Sequence, residues 1–245
     1  MRFDVVTLFP EMFEAVLGGS IIGRARKNGA VDLNFHNLRD YSQDKHKRVD
    51  DYPYGGGLGM VMQCQPIFSA VEEITKMLDV KPHVILMSPK GKTFSQNKAK
   101  ELLQHDNVII ICGHYEGIDE RVVQSIVDEE ISIGDFILTG GEIAAMAIVD
   151  AISRLLPGVL KEEDSHNIES FSNGLLEYPQ YTRPVDYRGM KVPDILLSGH
   201  HENIEKWRNY YSLKETYLKR PDLLDILDLT KEEKQILNRI IEEEK

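Results

Sequence analysis

Cysteine is scarce. The 245-residue chain holds two, Cys64 and Cys112, too few for a disulfide scaffold or a four-cysteine zinc site. No run approaches the roughly eighteen apolar residues of a membrane span. The first residues, MRFDVVTLFPEMFEAVLGG, are interrupted by Asp4, Glu11 and Glu14. That pattern predicts neither a secretory signal nor a basic transit peptide. A soluble protein of a reducing compartment, the cytoplasm, is the expectation, with no membrane partner. Positive charge is also short, with 29 basic against 40 acidic residues and a net charge of −11. This argues against a non-specific nucleic-acid coat protein, though not against a local basic groove. No GxxxxGK[ST] motif is present, so a P-loop is unsupported. The GGGLG run at 55–59 neither follows a predicted strand nor opens a helix, as a dinucleotide fingerprint must. No GxSxG elbow occurs. His200-His201-Glu202 is not HExxH, because the fourth position after His201 is Glu205. No metal site is expected from these residues.

Hydrophobic residues make up 42% and charged residues 28%, which suits a folded globular chain. Strands are predicted at Phe3–Leu8, Val31–Asn37, Val84–Met87, Val108–Cys112 and Phe136–Leu138. Helices are predicted at Pro10–Leu17, Ile21–Asn28, Ile67–Leu78, Ser95–Leu103, Glu120–Val127 and Glu142–Leu155. The runs at 84–87 and 108–112 are β-branched and do not alternate, as in strands covered on both faces of a parallel sheet. Alternating strands and helices give an α/β class. After Leu156-Pro157-Gly158 the chain turns polar. Residues 161–174 read as a mobile linker, and the chain from Leu175 onward reads as mostly helical. Thr230 and Glu233 predict a capping box, with Ile236, Leu237, Ile240 and Ile241 on one helical face. The expected organisation is an α/β domain over 1–160, a linker over 161–174 and a small helical domain over 175–245.

Three glycine-bearing loops follow predicted strands: 87–91, 113–117 and the segments around 133–142. Ligands of open α/β sheets bind beyond the C-terminal strand ends, and glycine there lets the backbone approach a ligand. Each loop alone also reads as an ordinary turn. Basic residues cluster at Arg24, Arg26 and Lys27, at Lys45, Lys47 and Arg48, and at Lys214, Lys219 and Arg220, where a solvated surface is the plain reading. Glu169 in the linker and Arg154 near a helix end are ordinary surface residues singly. Beside a ligand pocket they form a general base and an oxyanion stabiliser.

Six segments in order carry a resemblance: VDDYPYGGGLGMVM (49–62), MSPKGKTFSQ (87–96), CGHYEGIDERV (112–122), ISIGDFILTGGE (131–142), LEYPQYTRP (176–184) and VPDILLSGHHENIEKWR (192–208). The chain resembles the bacterial tRNA (guanine-N1)-methyltransferases, of the knotted SPOUT class, from its start to about residue 222. The resemblance implies a parallel-sheet domain with a trefoil knot at the glycine loops, followed by a small, mainly helical C-terminal domain. It implies S-adenosylmethionine held by Met87, Pro89, Gly113, Tyr115, Glu116, Ile133, Gly134, Phe136, Leu138, Gly140 and Gly141. It also implies a homodimer in which each site combines the knot of one chain with the linker and C-terminal domain of the other. The substrate is the tRNA guanine immediately 3′ of the anticodon. The tRNA contacts implied are the loop at 53–59 with Gly55 and Gly56, Arg154, and Ser198, Gly199, His200 and Trp207. Magnesium assists the family, but no ligand set for it is legible.

Guanine N1 carries a proton at neutral pH, so a carboxylate must accept it as the methyl group transfers. Negative charge then grows on O6, where an arginine stabilises it. The resemblance puts these roles on Glu169 and Arg154. Glu169 stands in IESF, where the family has aspartate, and Asp164 is a nearby rival. His114 occupies a position of arginine or histidine. Leu58 and Ala144 replace family prolines. The competing readings are a related knotted methyltransferase acting on another RNA position, a non-catalytic RNA- or cofactor-binding protein, and an unrelated dinucleotide-dependent oxidoreductase.

Overall fold

The structure is a computed structural model that describes residues 1–161 and 168–244. The chain divides into two compact units, Met1–Glu163 and Asp164–Lys245.

The first unit runs β1 (Arg2–Thr7), α1 (Pro10–Leu17), α2 (Ser20–Lys27), β2 (Asp32–Asn37), a 3-10 turn (Leu38–Tyr41), β3 (Asp50–Asp51), β4 (Val61–Met62), α3 (Cys64–Lys76), β5 (His83–Thr93), α4 (Gln96–Leu102), β6 (Asn107–Cys112), α5 (Glu120–Ile126), β7 (Glu129–Ser132) and α6 (Glu142–Ser153). Five strands form one sheet in the order β2-β1-β6-β5-β7, and every pairing is parallel. Both faces are therefore covered, which is why β6 reads as an unbroken apolar run. Phe3, Val5, Val108 and Ile110 face α1, α2, α4 and α6. Val6, Ile109 and Ile111 face the 3-10 turn, α3 and α5. Each buried isoleucine contributes about 1.5–3 kcal/mol.

The fifth strand is not where the sequence pattern predicts it. Phe136–Leu138 forms no strand, and the sheet edge is Glu129–Ser132. Two adjacent glutamates disguise that edge. Glu129 is held there by the His83 imidazole at 2.8 Å and the Lys98 ammonium at 3.1 Å. The apolar character of 136–138 has another origin: Phe136 and Leu138 line a cleft. The strand β5 breaks its register on β7 between Met87 and Lys92, both of which pair with Ile131. Ser88–Gly91 is thereby expelled from the ladder as a loop. A side chain at Gly91 would lie 2.4 Å from the backbone of Ile131, so only glycine fits this return.

The second unit contains a hairpin, β8 (Asp186–Tyr187) and β9 (Met190–Lys191), then α7 (Asp194–Leu197), α8 (His201–Lys219), α9 (Pro221–Leu224) and α10 (Lys231–Glu243). Its small core is Leu175, Leu213, Leu229 and Ile240. Thr216 is buried and donates to the Ser212 carbonyl at 2.7 Å while accepting from the Leu176 N–H at 2.8 Å. Thr230 and Glu233 form the predicted capping box. Within the expected linker, residues 168–174 turn back on themselves, with the Ser172 N–H donating to the Glu169 carbonyl at 3.1 Å. Asp164, the rival base, lies outside the described residues.

Candidate active site

The loops after β5, β6 and β7 converge at the C-terminal edge of the sheet. Successive connections there leave in opposite directions: β5 leads inward to β6, and β7 returns to the outer side of β5. Such a switch point opens a crevice. The crevice is a cleft of about 390 Å³, within the usual range of a small-molecule site. All eleven residues expected at a cofactor line it, joined by Ser88, Lys90 and Thr139 from the same three loops and by Glu120 and Glu130, which lie outside those loops. Glu130 carries no sequence signal of its own, because the strand that holds it, Glu129–Ser132, opens with two glutamates. Ser88 and Lys90 stood inside the MSPKG segment, which was the available signal.

The cleft floor is held by backbone. The Gly141 N–H donates to the Gly113 carbonyl at 2.8 Å, and His114 bridges Gly140 in antiparallel fashion. A side chain at Gly141 would meet Met87 Cβ at 2.9 Å and the Cys112 and Gly113 backbone at 3.0 and 3.1 Å. Beneath this floor Glu142 is buried. It accepts from the Thr7 hydroxyl at 2.9 Å, and that hydroxyl accepts from the Phe9 N–H at 3.0 Å. This chain of bonds fastens the first turn of α6 to the end of β1. Burial, and then the Glu142 charge, push the Cys112 thiol well above its ordinary pKa, so it is no nucleophile.

Tyr115 adopts φ 58°, the left-handed region that side chains rarely occupy. Its N–H donates to His114 Nδ1 at 3.0 Å, and its ring remains 45% exposed. Strain of this kind collects at binding loops. The second loop is also braced by the 53–62 segment. Met62 N–H donates to the Gly117 carbonyl at 2.9 Å, and Glu116 N–H to the Met60 carbonyl at 3.0 Å. The intervening Gly55 and Gly56 are exposed, as are Tyr52, Tyr54 and Leu58. The GGGLG run therefore bulges into solvent beside the cleft.

The other candidates are distributed over both units. Arg154 is the C-cap residue of α6 in the first unit; Glu169 lies half-buried in the second. Ser198, Gly199 and His200 are exposed at the start of α8. Trp207 is half-buried in an aromatic cluster, its ring 4.4 Å from Tyr211 and over 6 Å from Tyr178 and Tyr181 (6.4 and 6.3 Å). Much of the clustered basic charge is already paired: Lys47 with Asp40 at 2.8 Å, Arg48 with Asp44 at 3.0 Å, Arg220 with Asp222 at 2.6 Å, and Lys219 with Glu215. Among the described residues no group of three or more His, Cys, Asp or Glu could hold a metal ion. Nor is any described helix long and apolar enough to cross a membrane.

Residues 1–226 match the family described as tRNA (Guanine-1)-methyltransferase TrmD. The chain belongs to this family. Among its relatives is a tRNA (guanine-N(1)-)-methyltransferase of Ruminiclostridium cellulolyticum, 62% identical over 227 residues, covering 93% of this chain and 97% of the relative. Enzymes of the same name from Halalkalibacterium halodurans and Bacillus cereus strain G9842 are 58% and 56% identical. These alignments span 98% of both chains and 100% of both chains, respectively. The cleft glycines of this TrmD-family chain are thus part of a sequence matched from end to end.

Proposed function

We propose that the chain transfers a methyl group from S-adenosylmethionine to N1 of the tRNA guanine immediately 3′ of the anticodon. The observation that carries the reading is the convergence of three glycine loops on one cleft. The cleft suits a cationic sulfonium with an ammonium tail. Glu116, Glu120 and Glu130 line it, against Lys90 as the sole lining lysine or arginine among the described residues, while Ile133, Phe136 and Leu138 offer apolar surface to a purine. S-adenosylmethionine, when bound, supplies an electrophilic methyl group on a positively charged sulfur.

The chain's own residues do the rest. Glu169 accepts the N1 proton, freeing the nitrogen lone pair for attack on the methyl carbon. Arg154 donates to O6 as negative charge gathers there, a role suited to a group that never loses its proton. The glycine loops contribute positioning, which can supply as much as ~7–11 kcal/mol of barrier reduction.

The path of the chain supports a trefoil knot. Residues 133–141 leave the sheet edge and return between two earlier loops, with Gly141 against Met87 and Gly113. Such threading is rare among folds. A homodimer is supported by apolar groups exposed on α1 and α6, namely Met12, Val16 and Ile143. Val16 lines a depression together with Ile21, Met146 and Ala147. We assign cofactor binding to the first unit and tRNA binding to the helical unit together with the 53–59 loop. Each site then combines the knot of one protomer with the linker and helical unit of its partner. We assign no step to magnesium.

The test is methyl transfer from labelled S-adenosylmethionine to tRNA bearing guanine 3′ of the anticodon, with the product mapped by nucleoside analysis. The expected product is 1-methylguanosine at that position. A methyl group on a ribose oxygen or another base would favour a different knotted RNA methyltransferase. Binding of both ligands without transfer would favour a binding protein. A melting point raised by NAD but not by S-adenosylhomocysteine would contradict the cofactor reading.

A further inference from the structure

The β8–β9 hairpin is well formed yet has no part in a core. Asp186 pairs with Lys191 and Tyr187 with Met190, and the Val192 N–H donates to the Val185 carbonyl at 2.9 Å. All residues from Tyr181 to Lys191 are exposed. A two-stranded hairpin with no buried face is marginal in water. Its apolar groups also fall on one side. By the alternation of strands, Val185, Tyr187, Met190 and Val192 share a face, opposite Asp186 and Lys191.

The tip carries a second anomaly. Arg188 and Gly189 have φ 58° and 82°, a turn that normally takes asparagine or glycine first. An arginine there is locally unfavourable. Its guanidinium carbon sits 5.1 Å from the centre of the Tyr187 ring. Among residues 181–191 three cations, Arg183, Arg188 and Lys191, face one anion, Asp186, in a chain whose net charge is −11.

We propose that this hairpin is a stacking platform for an unpaired nucleotide of the RNA substrate. Tyr187 and Met190 receive the base, and Arg188 receives its phosphate. The proposal rests on the tRNA reading above and adds a contact to it. An exposed aromatic beside a guanidinium matches the two surfaces of a nucleotide, its π-face and its anion. A second protein molecule is the weaker fit. Strands of two residues offer far less than the roughly 800 Å² per partner of a stable protein interface.

The experiment measures equilibrium binding of unmodified tRNA at two salt concentrations by wild type, Tyr187→Ala, Tyr187→Phe and Arg188→Gly. Binding of S-adenosylhomocysteine and sedimentation are followed in parallel. Arg188→Gly relieves the turn, so a loss there is not a folding defect. Tyr187→Ala is expected to weaken tRNA binding roughly tenfold and Tyr187→Phe to stay within about twofold. Arg188→Gly is expected to weaken it several-fold and lower the salt slope by about one. Cofactor-product binding should be unchanged in all three. Wild-type tRNA affinity in Tyr187→Ala and Arg188→Gly overturns the platform while leaving the methyltransferase reading intact. A changed sedimentation coefficient with unchanged tRNA affinity assigns the face to a protein partner instead. A wild type that binds no tRNA overturns both readings.

Discussion

The backbone N–H of Gly141 donates to the carbonyl of Gly113 across 2.8 Å. This bond ties the loop that follows β7 to the loop that follows β6, and Met87 of β5 closes the contact from the third side. Gly141→Ala puts a methyl group 2.9 Å from Met87 Cβ and 3.0 Å from the Cys112 backbone. Overpacking of this kind costs about 1–3 kcal/mol. Calorimetry should find S-adenosylhomocysteine affinity reduced more than tenfold, with a lowered melting temperature. Wild-type affinity would show that the floor does not shape the ligand site.

Asp4 is buried on β1 and accepts from Arg2 at 2.8 Å and from His36 Nε2 at 2.8 Å. Burial alone would raise its carboxyl pKa, but the bonds from His36 and Arg2 outweigh burial and the net shift is downward. A depressed folded-state pKa adds stability that is present above the unfolded value and lost as pH falls through the folded one. Asp4→Asn should therefore cost about 1–3 kcal/mol at neutral pH. That gap should hold down to about pH 5 and narrow below about pH 4. Urea melts of both proteins across pH 3–7 check it; a constant gap contradicts the ion-pair account.

Thr230 accepts from the Glu233 N–H at 3.2 Å, and the Glu233 carboxylate accepts from the Thr230 N–H at 2.8 Å. Thr230→Ala should destabilise the helical unit by about 0.5–2 kcal/mol. Hydrogen exchange should quicken across the first turns of α10 and leave β1 and β6 unaffected. Unchanged exchange in α10 would mean the cap is redundant.

Lys47 and Arg48 already hold Asp40 and Asp44, and the Asp44 carboxyl is lowered to about 2, first by the Arg48 bond. Removing Lys45, Lys47 and Arg48 together should weaken tRNA binding. It should lower the salt slope by about one, not the nearly three that free cations would give. Asp40→Asn with Asp44→Asn should strengthen binding. Unchanged affinity and slope in the triple variant would exclude this cluster from the interface.

Four of the five sheet strands were legible, two of them, Val84–Met87 and Val108–Cys112, because a strand covered on both faces is apolar throughout. The fifth was not, because Glu129 is satisfied by partners distant in sequence, His83 and Lys98, and Glu130 lines the cleft. Phe136–Leu138 misled for the converse reason: a ligand cleft asks for apolar residues without asking for a strand. The cleft itself was legible through its glycines. The Thr7–Glu142 bond beneath it was not, since nothing in a single sequence pairs residues 135 positions apart. The pairing of the basic clusters was hidden for a similar reason, because charge runs show sign but not partners.

The most direct test of the account is single-turnover methyl transfer, followed across pH, with wild type, Glu169→Gln and Asp164→Asn. The account predicts a wild-type rate that falls as the base protonates at low pH. It predicts a loss of at least about a hundredfold in Glu169→Gln alone, the range of a missing general base. Loss in Asp164→Asn with a near-normal Glu169→Gln would contradict the assignment of the proton acceptor and move that role to Asp164.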